Sequence, residues 1–172
     1  MPVFSEQDYQ RTDYSILQNS PVVMYCQRSL LVGDIDALRI EQYRVLEVDC
    51  SAFSGTASFA KHIGSTLQLW GEWHGGLDAF NDYLSDLPFP DSDCLALALI
   101  HFDALHSKAT EFLEHLVDIF ASASRYHAFF GKRLILMLQV DNGRFRLPPV
   151  GASPVIWNRK ELLDASRTGA AL

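Results

Sequence analysis

The sequence predicts an α/β fold in which a small three-stranded parallel sheet has helices packed on it. Two apolar runs, residues 95–100 and 134–138, have strand length and no polar alternation, which is typical of parallel strands buried on both faces. Apolar residues recur at helical spacing between these runs. The resulting order of strand, two helices, strand, long helix and strand is an α/β crossover pattern.

Residues 1–43 are predicted to form an N-terminal extension of this domain. Residues 1–20 are polar and aperiodic, which is typical of a loosely ordered lead-in. The apolar stretches 22–26 and 30–32 predict two short strands joined by a turn. Residues 33–38 then resemble a loop that leads into a short helical turn.

Residues 44–141 carry the predicted core domain. Its first strand is predicted around residues 45–50, and Gly55 and Thr56 break the chain before a helix. One face of that helix is formed by apolar residues four apart, namely Phe59, Ile63 and Leu67. The longest helix is predicted from Lys108 to about Tyr126, ahead of the last core strand.

Residues 142–172 are predicted to form a C-terminal extension packed on the same domain. Asn142 and Gly143 form a turn signal, after which Phe145 and Leu147 predict an edge strand. A short helical segment is expected at residues 160–165.

Composition limits the class of protein. With 48% hydrophobic and 20% charged residues, the 172-residue chain is typical of a globular domain. It shows neither a membrane-length apolar run nor a signal peptide, and we therefore expect a cytoplasmic protein that does not bind membranes. The wide spacing of Cys26, Cys50 and Cys94 favours buried thiols over disulfides or a metal site.

The negative charge is concentrated in one part of the chain. No Lys or Arg lies between Lys61 and Lys108, whereas seven of the 21 acidic residues do. The other 14 acids balance the 14 Lys and Arg residues, so this segment carries the whole net charge of -7. Such a segment would repel nucleic acid and attract a basic protein.

The acids of residues 77–87 lie on one side of a predicted helix that begins after Gly75 and Gly76. The apolar side is formed by Leu77, Phe80, Leu84 and Leu87, and the opposite side carries Asp78, Asp82 and Asp86. Like charges four residues apart destabilise an isolated helix by about 0.2 to 0.5 kcal/mol per pair. An acidic face without lysines therefore indicates a surface that binds a partner.

The segment 73–87 begins with the sequence Trp-His-Gly-Gly-Leu-Asp-Ala-Phe-Asn-Asp. It resembles the aromatic-glycine loop and acidic second helix of the barstar family of ribonuclease inhibitors. The order of elements over residues 44–141 is similar as well. The resemblance implies that this loop and helix enter the active site of a basic ribonuclease. The residues that it assigns to partner binding are Trp70, Trp73, Gly75, Gly76, Asp78, Asn81, Asp82 and Asp86.

Within that set, the resemblance implies that Asp82 replaces an RNA phosphate and that Asp78 is the second acid. Either Trp70 or Trp73 fills the place of the aromatic residue before the helix. Two positions depart from the family pattern: Ser122 stands where the long helix would carry another acid, and Asn81 stands where an aromatic contact residue is frequent. The alternative is therefore an interaction module with the same fold and a non-ribonuclease partner. A homodimer is a further alternative, in which the N-terminal segment would form the contact between two copies.

An enzyme is the weaker hypothesis. His74 with Asp78 and Asp82 would supply proton-transfer groups, but carboxylates on an exposed helix face lack the burial that separates their pKa values. His101 and His106 do not have the spacing of a zinc motif. We therefore predict no catalytic residues, no metal and no cofactor.

Overall fold

The computed structural model describes residues 4–151 and 153–162, which fold around a five-stranded sheet with the order β2-β3-β4-β1-β5. Its strands are β1 (Val22–Tyr25), β2 (Arg44–Asp49), β3 (Cys94–Ile100), β4 (Arg133–Gln139) and β5 (Ile156–Trp157). All neighbouring strands are parallel. The α/β class with a parallel sheet is confirmed. The sheet has five strands rather than three, because β1 and β5 extend the set β2, β3 and β4 beyond β4.

The two central strands account for the continuous apolar runs in the sequence. Every residue of β3 is buried, and so is every residue of β4 after Arg133. Helices cover both faces, which explains why these strands are apolar throughout their middle. The buried Gln139 at the end of β4 is hydrogen-bonded, because its Oε1 accepts from the His101 backbone N–H at 2.9 Å. The helices on one face are α1 (Thr12–Leu17) and α2 (Arg28–Ile40). Those on the other face are α3 (Thr56–Thr66), α4 (Leu77–Ser85), α5 (Phe102–His106) and α6 (Thr110–Ala128).

Of the two strands predicted in the N-terminal segment, the first is present as β1 and the second is wrong. Residues 30–32 belong to α2, and the positions predicted as a loop, 33–38, continue the same helix. Leu31, Ile35 and Leu38 recur at helical spacing and are buried against the sheet. Burial of this face favours a helix over the local preference of the Leu-Leu-Val run for a strand.

Both flanking segments are tied to the sheet by buried carboxylates. The Asp13 carboxylate accepts hydrogen bonds from Arg11 Nη2 at 2.8 Å and from Arg133 Nη1 at 3.1 Å, which fixes α1. Asp34 accepts from Asn158 Nδ2 and Lys160 Nζ, each at 2.7 Å. Residues 12–17 are therefore an ordered helix, and the prediction of a loose lead-in is wrong there.

The C-terminal segment differs from its prediction in two ways. Phe145 and Leu147 form no strand, and the Phe145 ring instead packs edge-on against Phe102, with centroids 6.1 Å apart. The helix expected at 160–165 appears as α7 (Arg159–Leu162), and its remaining positions lie outside the described residues. Nowhere in the described ranges is a helix long and apolar enough to cross a membrane.

Candidate functional site

The candidate site is centred on α4, whose two sides differ as the sequence predicts. Phe80 and Leu84 are fully buried, and the helix packs along α6. Asp78 and Asp82 project from the opposite side into solvent, and Asp86 follows at the C-terminal cap. These three exposed aspartates are called the acidic face below.

No ion pair joins the acidic face to any Lys, Arg or His among residues 4–151 and 153–162. Other carboxylates of the chain do have partners: Asp13 binds Arg11 and Arg133, and Lys160 binds Asp34. The acidic face therefore keeps its negative charge uncompensated and directed at solvent. A cationic ligand can reach it without displacing an internal partner.

The loop before α4 is held from inside by Trp73. This side chain is only 2% exposed. Its ring stacks on Phe80 with a centroid distance of 4.5 Å, and its Nε1 donates a 2.8 Å hydrogen bond to the Gly76 carbonyl. Because Gly76 is the N-cap residue of α4, these contacts position the beginning of the acidic helix.

Two glycines make this packing possible. A Cβ on Gly64 would lie 3.2 Å from the Trp73 Cβ, so α3 and the loop approach as closely as they do because Gly64 has no side chain. Gly75 has a φ of 95°, a conformation that side-chain-bearing residues rarely adopt. The backbone conformation of the turn before α4 therefore requires glycine at position 75.

The structure distinguishes the two tryptophans that the sequence left as alternatives. Trp70 is 74% exposed in the same loop, whereas the Trp73 indole lies in the core. The Trp70 ring is therefore open to solvent, while Trp73 supports the loop from the core. Asn81 is exposed between Asp78 and Asp82, and Ser122 is exposed on α6.

His127 of α6 is a supporting residue that sequence reasoning missed. Its Nε2 lies 2.7 Å from the Leu84 carbonyl oxygen, and since a carbonyl only accepts, Nε2 carries the proton. This bond anchors the C-terminal end of α4, next to Asp86. Burial lowers the pKa of His127 below its ordinary value of 6.5. Helical spacing could have shown that position 127 is on the buried side of α6.

The shifted pKa predicts a pH dependence of stability. A lowered pKa means that the folded state favours neutral His127, so its contribution is present above pH 6.5 and is lost as the pH falls through the folded-state pKa. We expect the free energy of unfolding to fall less between pH 7 and pH 5 in His127→Gln than in the wild type, because glutamine donates but does not titrate. Urea unfolding at both pH values measures this effect. The exposed His115→Gln is the matched control, and parallel curves for wild type and His127→Gln would refute the role of His127.

Three other histidines each lie beside a different carboxylate. His101 Nδ1 contacts Asp141 Oδ2 at 2.8 Å, whereas His106 Nε2 contacts Glu114 Oε1 at 3.3 Å. The exposed His74 lies 3.9 Å from the Glu72 carboxylate. In the part of the chain that the structure describes, no three His, Cys, Asp or Glu side chains are grouped so as to hold a metal ion.

Comparison with known proteins relates the chain to a family. The family model described as Barstar (barnase inhibitor) matches residues 43–139, which is more than half of the chain. The matched part runs from the residue before β2 to the end of β4 and includes the loop and the acidic face. A search among curated proteins found no significant match.

Proposed function

Since the chain belongs to the barstar family, we propose that it is a ribonuclease inhibitor or immunity protein that inserts its acidic face into the basic active site of a ribonuclease. The observation that supports this proposal is the exposed acidic face, for which the described part of the chain supplies no ion-pair partner. In this proposal the protein acts by binding and has no catalytic step of its own. Cys26, Cys50 and Cys94 are reduced thiols, which fits a reducing cytoplasm.

The chemistry of the target explains why carboxylates would inhibit it. A ribonuclease must gather Arg, Lys and His side chains around the phosphate of its substrate. A carboxylate accepts two parallel hydrogen bonds from one guanidinium, and exclusion of water strengthens that pair. Asp82, in the middle of the exposed side of α4, is the residue that we place at the phosphate position. Asp78 and Asp86, one turn away on either side, extend the negative surface.

The loop supplies the second part of the proposed interface. Trp70 is the exposed aromatic side chain there, and tryptophan is enriched among the residues that dominate interface affinity. Gly75 and Gly76 leave the backbone next to α4 without side chains, which allows close approach of the ribonuclease. Asn81 offers both donor and acceptor atoms between the two aspartates.

Binding should depend strongly on salt. Opposite charges accelerate encounter, and dissolved ions screen this attraction beyond about 8 Å at physiological ionic strength. We expect the association rate with a basic ribonuclease to fall at least tenfold between about 50 and 500 mM NaCl, with a smaller change in the dissociation rate. Stopped-flow fluorescence measures both rates. An association rate that does not respond to salt would contradict electrostatic docking.

Calorimetric titration of the full chain into barnase, the ribonuclease named in the family description, tests the proposed function. We expect a 1:1 complex that is weakened in Asp82→Ala. Asp36→Ala is the matched control, because Asp36 is an exposed acid on α2, across the sheet from α4. Absence of heat with barnase and with other small basic ribonucleases would reject the proposal.

A second candidate is a protein-interaction module of the same fold whose basic partner is not a ribonuclease. The exposed Ser122 favours it, because a hydroxyl on α6 beside α4 provides no negative charge for an active-site cation. A pull-down with the wild type and Asp82→Ala separates the candidates. Recovery of a basic protein without ribonuclease activity, by the wild type alone, would favour the second.

A further inference from the structure

Three aromatic side chains are exposed at the C-terminal end of α6. Phe129 is 84% exposed and Phe130 is 63% exposed, and Tyr126 is about half exposed. The Tyr126 and Phe130 rings contact each other, with centroids 5.1 Å apart and planes inclined by 63°. A cluster of large apolar rings in solvent indicates an interaction surface. Tyr126 and Phe130, whose rings touch, are called the aromatic patch below.

The aromatic patch lies at the end of α6 that packs on the C-terminal end of α4. Ser122 and Tyr126 are one helical turn apart on the exposed side of α6, and the Phe130 ring, beyond the helix end, contacts the Tyr126 ring. The Tyr126 ring lies 5.4 Å from the ring of His127, whose Nε2 binds the Leu84 carbonyl at the end of α4. Leu84 lies two residues before Asp86, so His127 connects the aromatic patch to the C-terminal end of the acidic face. A partner seated on the acidic face can therefore extend toward the aromatic patch.

The chain already uses aromatic rings at this end of the domain to bind cations. Lys132 Nζ lies 4.9 Å from the centroid of Phe89 and 3.9 Å from an Asp93 carboxylate oxygen. The Phe89 ring in turn packs against His127. This arrangement of a cation between a ring and a carboxylate shows how an incoming basic side chain can be held.

We propose that the aromatic patch receives Arg or Lys side chains of the same basic partner through cation–π contacts, and so extends the docking surface from α4 onto α6. The choice of a basic partner rests on the proposed function. Charge also argues against a second copy of this chain as the occupant, because a second copy would bring its own acidic face close to the first. The two rings would attract cations at this end of α6, where Ser122 provides no negative charge.

Leucine substitutions separate ring chemistry from simple burial. Tyr126→Leu/Phe130→Leu keeps apolar side chains and removes both π faces, whereas Tyr126→Phe keeps the ring. Ile40→Ala, an exposed apolar position on α2 across the sheet, is the control. The probes are barnase and a decapeptide of arginine, each titrated into the full chain. We expect the double leucine variant to bind about five- to thirty-fold more weakly, and Tyr126→Phe and Ile40→Ala to bind within about twofold of the wild type.

The outcomes distinguish this inference from the proposed function. Wild-type affinity of the double leucine variant for both probes would overturn the inference, and a loss of barnase binding in Asp82→Ala would show that the proposed function still stands. Ring-dependent binding of the peptide without any binding of barnase would support the aromatic patch and reject the ribonuclease. Sedimentation is the second measurement: self-association of the wild type that the leucine variant lacks would assign the patch to a second copy and overturn the inference.

Discussion

Replacing Asp82 by alanine is expected to remove most of the affinity for the ribonuclease and to leave the fold intact. Loss of one partner from a buried, hydrogen-bonded charge pair costs about 2 to 5 kcal/mol, or about 30- to 5,000-fold in Kd. In the unbound chain, Asp82 is exposed and has no ion pair within the described residues. Its removal should therefore change the free energy of unfolding by no more than about 0.5 kcal/mol.

Asp82→Ala should weaken binding without lowering the free energy of unfolding. Relief of repulsion between Asp82 and its neighbours Asp78 and Asp86 should even favour α4 slightly, by about 0.2 to 0.5 kcal/mol per pair. Calorimetric binding and urea unfolding of the same preparation measure both quantities, with Asp36→Ala as the control. A chain that unfolds more easily but binds as well as the wild type would contradict the assignment of Asp82.

Replacing Trp73 by alanine is expected to destabilise the protein by about 3 to 5 kcal/mol, the range observed for truncation of large buried aromatic residues. The substitution removes the stacking on Phe80 and leaves the Gly76 carbonyl without its indole donor. It also opens a cavity beside Phe80 and Phe112, on which the indole stacks. The melting temperature and the urea midpoint should both fall sharply.

Trp70→Ala is the matched comparison because it removes the same side chain from the same loop. Its exposed indole should contribute little to stability, so we expect unfolding within about 0.5 kcal/mol of the wild type and weaker binding of the ribonuclease. The reverse pattern, with Trp70→Ala unstable and Trp73→Ala stable, would show that the roles of the two side chains have been exchanged.

Sequence reasoning succeeded where burial imposes a regular pattern. The runs in β3 and β4 are apolar because both faces of these strands are covered. The same physics exposes Asp78 and Asp82 on α4 while Phe80 and Leu84 are buried. In each case a residue's neighbours along the chain determine which side of the element it occupies.

The failures lie where distant segments decide the structure. The sequence does not predict α2 because Leu30, Leu31 and Val32 favour a strand locally. The helical spacing of Leu31 and Ile35 becomes decisive only when the sheet buries that side of the helix. β1 and β5 acquire their parallel partners from positions more than a hundred residues away in the chain. The burial of Trp73 likewise depends on Gly64, Phe80 and Phe112, so its spacing from α4 could not distinguish it from Trp70.

If the acidic face occupies the phosphate site of a ribonuclease, the chain must compete with RNA for that site. The measurement is steady-state cleavage of a fluorogenic RNA oligonucleotide by barnase at increasing concentrations of the chain. We expect competitive inhibition, in which the apparent KM rises with inhibitor concentration while kcat stays constant, and in which Asp82→Ala inhibits far less than Asp36→Ala. Unchanged cleavage in excess chain, or a fall in kcat at constant KM, would contradict it.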